Sequence, residues 1–108
     1  MNFFTAMFGG GPAYFFYILD CLNKIIKKNG FAEIHSLSSL RSLLRGVLND
    51  IDKENYKFND LIKKVASKGG TTEEGLKVLS KNNNLSKLFE KAISSAENKS
   101  KIISEKLK

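Results

Sequence analysis

Apolar residues recur at the three- and four-residue spacing of α-helices along most of the chain. The pattern predicts five helices, at about residues 12–29, 32–51, 57–66, 71–80 and 85–107. Apolar and β-branched residues never alternate with polar ones over a run, so no strand is predicted. Residues 1–11 are apolar but interrupted by glycines, and they are interpreted as an irregular arm. We therefore expect an all-α domain of about five helices over residues 12–108.

Several residues mark the ends of these helices. Pro12 suits the first turn of a helix, where its missing N–H costs nothing, and Gly30 suits a left-handed helix end. Thr71 and Glu74 have the spacing of a capping box, which predicts that Thr71 caps the fourth helix. The run Asn82-Asn83-Asn84 predicts the turn before the last helix.

The first predicted helix is apolar on every side over residues 13–19. A helix of this kind must be surrounded by protein, and a chain of 108 residues has little material to enclose it from within. A partner subunit is therefore implied, and Cys21 on the same helix is interpreted as an inert core thiol. The residues assigned to the dimer interface are Tyr14, Phe15, Phe16, Ile18, Leu19 and Leu22.

The charge is basic but diffuse. The formal net charge is +7, and it divides into +2 over the first 50 residues and +5 over the rest. Of the 18 cations only Arg41 and Arg45 are arginine, the better reader of phosphates and bases. A solvated lysine surface is the favoured interpretation, with no nucleic-acid partner. A polyanion binder is the alternative, and it predicts salt-sensitive binding to nucleic acid.

Other composition features exclude classes of site. One cysteine cannot form an internal disulfide, and one cysteine with one histidine cannot supply the usual structural zinc site. Neither common glycine-rich nucleotide motif is present. Residues 1–19 carry no charge, but the glycines and proline at 9–12 would break a spanning helix and no basic segment precedes them. We expect no membrane association and a cytoplasmic location.

A second glycine segment offers candidate chemistry. The sequence Ser67-Lys68-Gly69-Gly70-Thr71-Thr72 precedes a predicted helix, whose first backbone N–H groups are free and carry the positive end of the dipole. Glycines let an anion approach the backbone, and hydroxyls add hydrogen bonds. The segment suits a small carboxylate or phosphate. By spacing alone, a well-capped turn between helices that binds no ligand is the favoured interpretation.

The two glycine segments together resemble a known family. Gly9-Gly10-Gly11-Pro12-Ala13-Tyr14 and the later Val65-Ala66-Ser67-Lys68-Gly69-Gly70-Thr71-Thr72 are similar to the S-G-S-G-P-A-Y and V-x-S-P-G-G-T-T motifs of pyrroline-5-carboxylate reductases. Leu88-Phe89-Glu90-Lys91-Ala92-Ile93 and Ala96 look like the closing helix of that family. The resemblance is to the C-terminal dimerisation domain and covers about residues 7–107.

The resemblance implies an interlocked helical homodimer of the 6-phosphogluconate-dehydrogenase C-terminal-like type. Family enzymes reduce 1-pyrroline-5-carboxylate to proline with NADPH or NADH, the last step of proline synthesis. Their nucleotide-binding Rossmann domain is expected to be absent here, so this chain alone would bind no cofactor and be inactive. A separately encoded Rossmann polypeptide could supply it, or the chain could be a remnant of a broken gene. The residues expected to hold the substrate carboxylate are Ser67, Gly69, Gly70, Thr71 and Thr72, and no catalytic residue is assigned.

The chain departs from the family pattern at several positions. Lys68 stands where the family has proline, and Phe8 and Gly10 stand where it has two serines. Arg41-Ser42 falls where the family has Gln-Thr. Loss of polar positions with retention of the apolar framework favours relaxed constraint on chemistry. The alternative function is that of a small helical interaction protein whose glycine turns are structural and bind no ligand.

Overall fold

Helices account for nearly all of the chain that the computed structural model describes, residues 2–53, 56–66 and 70–107. No strand occurs in these three ranges, so the predicted all-α class is confirmed. The elements are α1 (Asn2–Phe4), a π-helical segment (Thr5–Gly9), α2 (Gly11–Lys28), α3 (Glu33–Ile51), α4 (Phe58–Ala66), α5 (Gly70–Ser80), a 3-10 turn (Lys81–Asn83) and α6 (Asn84–Lys106).

The five longer helices agree with the predicted ones to within one or two residues at each end. Pro12 lies in the first turn of α2, where its lack of an N–H leaves no hydrogen bond unmade. Gly30 follows the last turn of α2 with a φ of +96°, the left-handed conformation that glycine adopts without strain. Gly30 also donates its N–H to the carbonyl of Lys27. Both predicted boundaries of α2 are therefore confirmed.

The prediction of an irregular N-terminal arm is wrong. Residues 2–9 are helical, first as α1 and then as the π-helical segment. Both pieces pack against α6, and Ala6 is 5% exposed. The rings of Phe4 and Phe8 also meet, with centroids 4.8 Å apart. Tertiary packing of an apolar segment outweighs the weak local propensity that its glycines impose.

Two compact units make up the chain: residues 1–15 together with 74–108, and residues 16–73. The first contains the N-terminal helical segment and α6, which pack on each other. The second contains most of α2 together with α3 and α4. In the second unit Leu40 is 7% exposed and the side chain of Ser36 is fully buried. Among the residues that the structure describes, each unit therefore buries very few side chains.

The connection from α5 to α6 follows the predicted asparagine turn. Asn82 and Asn83 have φ values of 54° and 56°. Asparagine tolerates this left-handed conformation better than most residues, because its short amide can bond locally. Asn84, by contrast, is the first residue of α6.

Two smaller predictions fail. Helix α5 begins at Gly70, so Thr71 lies inside its first turn and is not the cap. The Glu74 carboxylate accepts a hydrogen bond from the Lys77 ammonium at 3.1 Å, in place of the predicted capping-box bond. Cys21 is exposed, not a core thiol, because α2 is open to solvent on that side within a single chain.

Candidate functional site

The predicted carboxylate-binding segment coincides with the start of α5. Gly70, Thr71 and Thr72 are the first three residues of that helix, and all three are exposed. Ser67 and Gly69 lie outside the described residues. Among the described residues, apart from its chain neighbours and the backbone of its own helix, no atom lies within 4 Å of the position that a Cβ on Gly70 would occupy. The structure therefore brings together two hydroxyl side chains and the first free backbone N–H groups of an 11-residue helix, open to solvent.

Acidic side chains reduce the positive electrostatic potential at the N-terminus of α5. Glu73 and Glu74 follow the two threonines directly, and such residues stabilise the first turn of a helix. The charge of Glu74 is offset by the Lys77 ammonium three residues later. Glu73 has no ion-pair partner in the described ranges. The described part of this turn thus carries the unpaired negative charge of Glu73, so an anion there would be held by local hydrogen bonds and not by charge.

The residues assigned to a dimer interface lie on α2 and remain largely uncovered. Of the assigned residues, Phe15 and Phe16 are 62% and 70% exposed, and the neighbouring Tyr17, which is not assigned to the interface, is 69% exposed. Leu22 is also exposed, while Tyr14, Ile18 and Leu19 are half-buried. Consecutive residues of a helix point about 100° apart, so these three rings leave the helix in different directions. A single neighbouring surface cannot cover them all.

A polar cluster joins α2 to α3. The Ser36 hydroxyl donates to the Asn23 side-chain oxygen at 2.5 Å, and the Asn23 amide donates to the Glu33 carboxylate at 3.2 Å. Glu33 is also paired with the Lys27 ammonium. The hydrogen bond from Lys27, and then that from Asn23, lowers the pKa of Glu33 below its ordinary value of 4.5.

Sequence reasoning missed this cluster. Ser36 lies one turn before Leu40, and both residues are buried on the same face of α3. A buried hydroxyl needs a hydrogen-bond partner, and Asn23 supplies it. The signal in the sequence is a serine four residues before Leu40, at the spacing that places two residues on one face of a helix.

A second, exposed ion pair lies one turn earlier on α2. The Lys24 ammonium is 2.8 Å from the Asp20 carboxylate, at the favourable spacing of four residues. The hydrogen bond and the charge of Asp20 raise the pKa of Lys24 above its ordinary value. This pair is solvated on both sides, so it adds little to stability.

Other kinds of site find no support in the described ranges. No group of three or more histidine, cysteine or acidic side chains is close enough to hold a metal ion there. Among the helices so described, none combines the length and apolar character that crossing a bilayer requires.

Comparison with known proteins identifies relatives over nearly the whole chain. The family model for pyrroline-5-carboxylate reductase dimerisation matches residues 1–103. A pyrroline-5-carboxylate reductase of Staphylococcus epidermidis is 32% identical over 102 residues, which are 94% of this chain and 37% of that protein. The enzyme of the same name from Staphylococcus aureus is 32% identical over 96 residues, 89% of this chain and 35% of that protein.

This chain thus spans little more than a third of the length of the curated relatives that it matches. None of the solved structures matches it. The matched region is the helical part that carries both glycine segments, α2 and most of α6. The chain therefore belongs to the pyrroline-5-carboxylate reductase dimerisation family.

Proposed function

We propose that the chain forms a homodimer and contributes a carboxylate-binding subsite to the reduction of 1-pyrroline-5-carboxylate to proline. The observation that carries the proposal is the exposure of Phe15, Phe16 and Tyr17 on α2 in a member of a dimerisation family. Leaving three aromatic rings in water forgoes the stabilisation that their burial provides, about 2 kcal/mol each. A second copy of the chain that packs around α2 from more than one side would bury them.

The subsite is the start of α5. Support comes from the two threonine hydroxyls at Thr71 and Thr72, the free N–H groups of the first turn, and the open space beside Gly70. A carboxylate is small and planar, so it can accept from a hydroxyl and a backbone N–H together. The threonine side chains would fix its orientation, and the substrate ring would lie over the helix end.

Hydride transfer requires NADPH or NADH, which the reductase family uses. The nucleotide would be bound by a Rossmann domain outside these 108 residues, and a separately encoded polypeptide is one source. The role of the present chain is then to hold two active sites in one dimer and to orient the substrate carboxylate. On this proposal the chain alone reduces no substrate.

The test of the subsite is a titration of the ¹⁵N-labelled chain with proline, followed by amide resonances. Pyrrolidine is the matched control, because it has the same ring without the carboxylate. We expect proline to shift the amide resonances of Gly70, Thr71 and Thr72, and pyrrolidine to leave them unchanged. Equal responses to both compounds, or none to proline at high concentration, would favour the helical interaction protein without a ligand site.

A further inference from the structure

A shallow apolar groove runs between α2 and α3 within residues 16–73. It encloses about 380 Å³. Its apolar walls are formed by five side chains, Phe16, Leu19, Leu37, Leu40 and Leu44. Leu40 is buried at its floor, whereas Phe16, Leu37 and Leu44 are each more than a third exposed. Exposed apolar side chains gathered in one groove are the kind of surface that protein partners bury.

Two charged residues of opposite sign stand on opposite walls of the groove. Asp20 lies on α2 and Arg41 lies on α3. They form no ion pair with each other, and Arg41 has no ion-pair partner in the described part of the chain. Asp20 is paired with Lys24 on its own helix, where both side chains are solvated. The groove therefore carries one carboxylate and one guanidinium group, and each can form an ion pair with a second molecule.

The two charges lie at a similar height along the groove. Helices α2 and α3 are joined by four residues, and the Ser36–Asn23 hydrogen bond ties them as an antiparallel hairpin. Asp20 lies three residues from Asn23, and Arg41 lies five residues from Ser36. Both steps lead away from the loop that joins the two helices. At about 1.5 Å per residue, Asp20 is about 4.5 Å and Arg41 about 7.5 Å from that bond. The difference is less than one helical turn.

We propose that this groove is the self-complementary face through which two copies of the chain pair, with Asp20 of each copy opposite Arg41 of the other. In a twofold interface the same patch meets itself, so each contact occurs twice with its members exchanged. A twofold axis along the groove lays α2 of one copy over α3 of the second. The acid of one wall then meets the base of the opposite wall, and the apolar side chains meet between them.

A face with one acid and one base on opposite walls suits its own copy better than an arbitrary partner. The alternative twofold arrangement, which lays α2 of one copy over α2 of the other, brings Asp20 towards Asp20 and Arg41 towards Arg41, and like-charge repulsion disfavours it. This inference rests on the proposed homodimer and specifies the part of its interface that includes Phe16.

Charge reversal tests the pairing. In Asp20→Arg both facing pairs become Arg against Arg, and in Arg41→Asp both become Asp against Asp. We expect each variant alone to raise the dimer Kd about 100-fold, a factor of about ten for each of the two symmetry-related contacts. The matched control is Arg45→Asp, which makes the same change one turn further along α3 at a residue that does not line the groove. The control should leave Kd within about twofold of the unmodified chain.

Mixing the two variants gives the decisive result. A heterodimer of one Asp20→Arg copy and one Arg41→Asp copy has an opposite-charge pair at both contacts. We expect the mixture to dimerise where each variant alone does not, as measured by sedimentation velocity and by native mass spectrometry. No interaction within one chain can produce this rescue. Circular dichroism of each variant confirms that helicity is retained.

The outcomes separate the two proposals. An unmodified chain that is monomeric would overturn both the homodimer and this interface. An unmodified dimer that tolerates both reversals, or variants that fail to recover on mixing, would overturn this interface and leave the homodimer standing.

Discussion

Tyr14 donates its phenolic hydrogen to the backbone carbonyl of Ala6 at 3.0 Å, and so ties the first turn of α2 to the N-terminal helical segment. Gly10 lies beneath this bond. A Cβ built on Gly10 would be 2.9 Å from the Tyr14 hydroxyl oxygen and 3.2 Å from the Ala6 carbonyl oxygen. The absence of a side chain at position 10 is therefore what allows the tyrosine to reach the carbonyl.

Replacing this glycine should cost stability. In Gly10→Ala the methyl group displaces the Tyr14 ring and leaves the Ala6 carbonyl without its partner, a loss of about 1–2 kcal/mol in the free energy of unfolding. Urea unfolding followed by circular dichroism measures it. Gly9→Ala is the matched control, because its Cβ would make an ordinary contact of 3.7 Å with Thr5. Equal losses in the two variants would contradict the role assigned to Gly10.

The hydrogen bond of the buried Ser36 hydroxyl should also stabilise the fold. Ser36→Ala removes the donor to Asn23 and leaves a partly buried side-chain oxygen unsatisfied, so we expect a loss of about 1–2 kcal/mol. Ser38→Ala, at an exposed position of the same helix, should change the free energy of unfolding by less than about 0.5 kcal/mol. If both variants unfold at the same urea concentration, the Ser36 bond contributes nothing measurable.

The polar cluster also predicts a pH dependence. Because Lys27 and Asn23 lower the pKa of Glu33 in the folded state, the carboxylate stabilises the fold above its unfolded pKa. That stabilisation is lost as the pH falls from the ordinary value of 4.5 through the lowered pKa. We expect Glu33→Gln to flatten the decline in stability between neutral pH and the acid range. Parallel pH profiles for the variant and the unmodified chain would show that Glu33 makes no such contribution.

The aromatic face of α2 should be sensitive to charge. Phe16→Asp would place an unpaired carboxylate in the proposed interface, and we expect it to abolish the dimer at micromolar concentration. Lys28→Asp introduces a carboxylate at the far end of the same helix and should leave the mass unchanged. Light scattering after gel filtration distinguishes the two. A Phe16→Asp variant with an unchanged mass would exclude this face from the interface.

Local signals sufficed to predict most helix boundaries. Pro12 and Gly30 set the ends of α2 through properties that they carry wherever they occur, a fixed φ and access to positive φ. Asn82 and Asn83 mark their turn for a related reason. Such residues can be interpreted from a single sequence because their effect does not depend on distant contacts.

Long-range contacts explain what the sequence did not predict. Residues 2–9 are helical because they pack against α6, which lies about 80 residues further along the chain. Ser36 looked like one more polar residue, because its burial depends on the approach of Asn23 from another helix. Cys21 was expected in the core, yet it is exposed within one chain. Gly70, Thr71 and Thr72 of the predicted carboxylate-binding segment lie at the start of α5. That they bind a carboxylate stays a prediction.

The central claim is that two copies of this chain form one unit, and its solution mass tests that claim most directly. The chain has a mass of 12.1 kDa, so light scattering after gel filtration should give twice that value at two well-separated protein concentrations. A constant dimeric mass is the predicted result. A mass of 12.1 kDa at both concentrations would contradict the account, because the aromatic residues of α2 would then have no second copy to cover them.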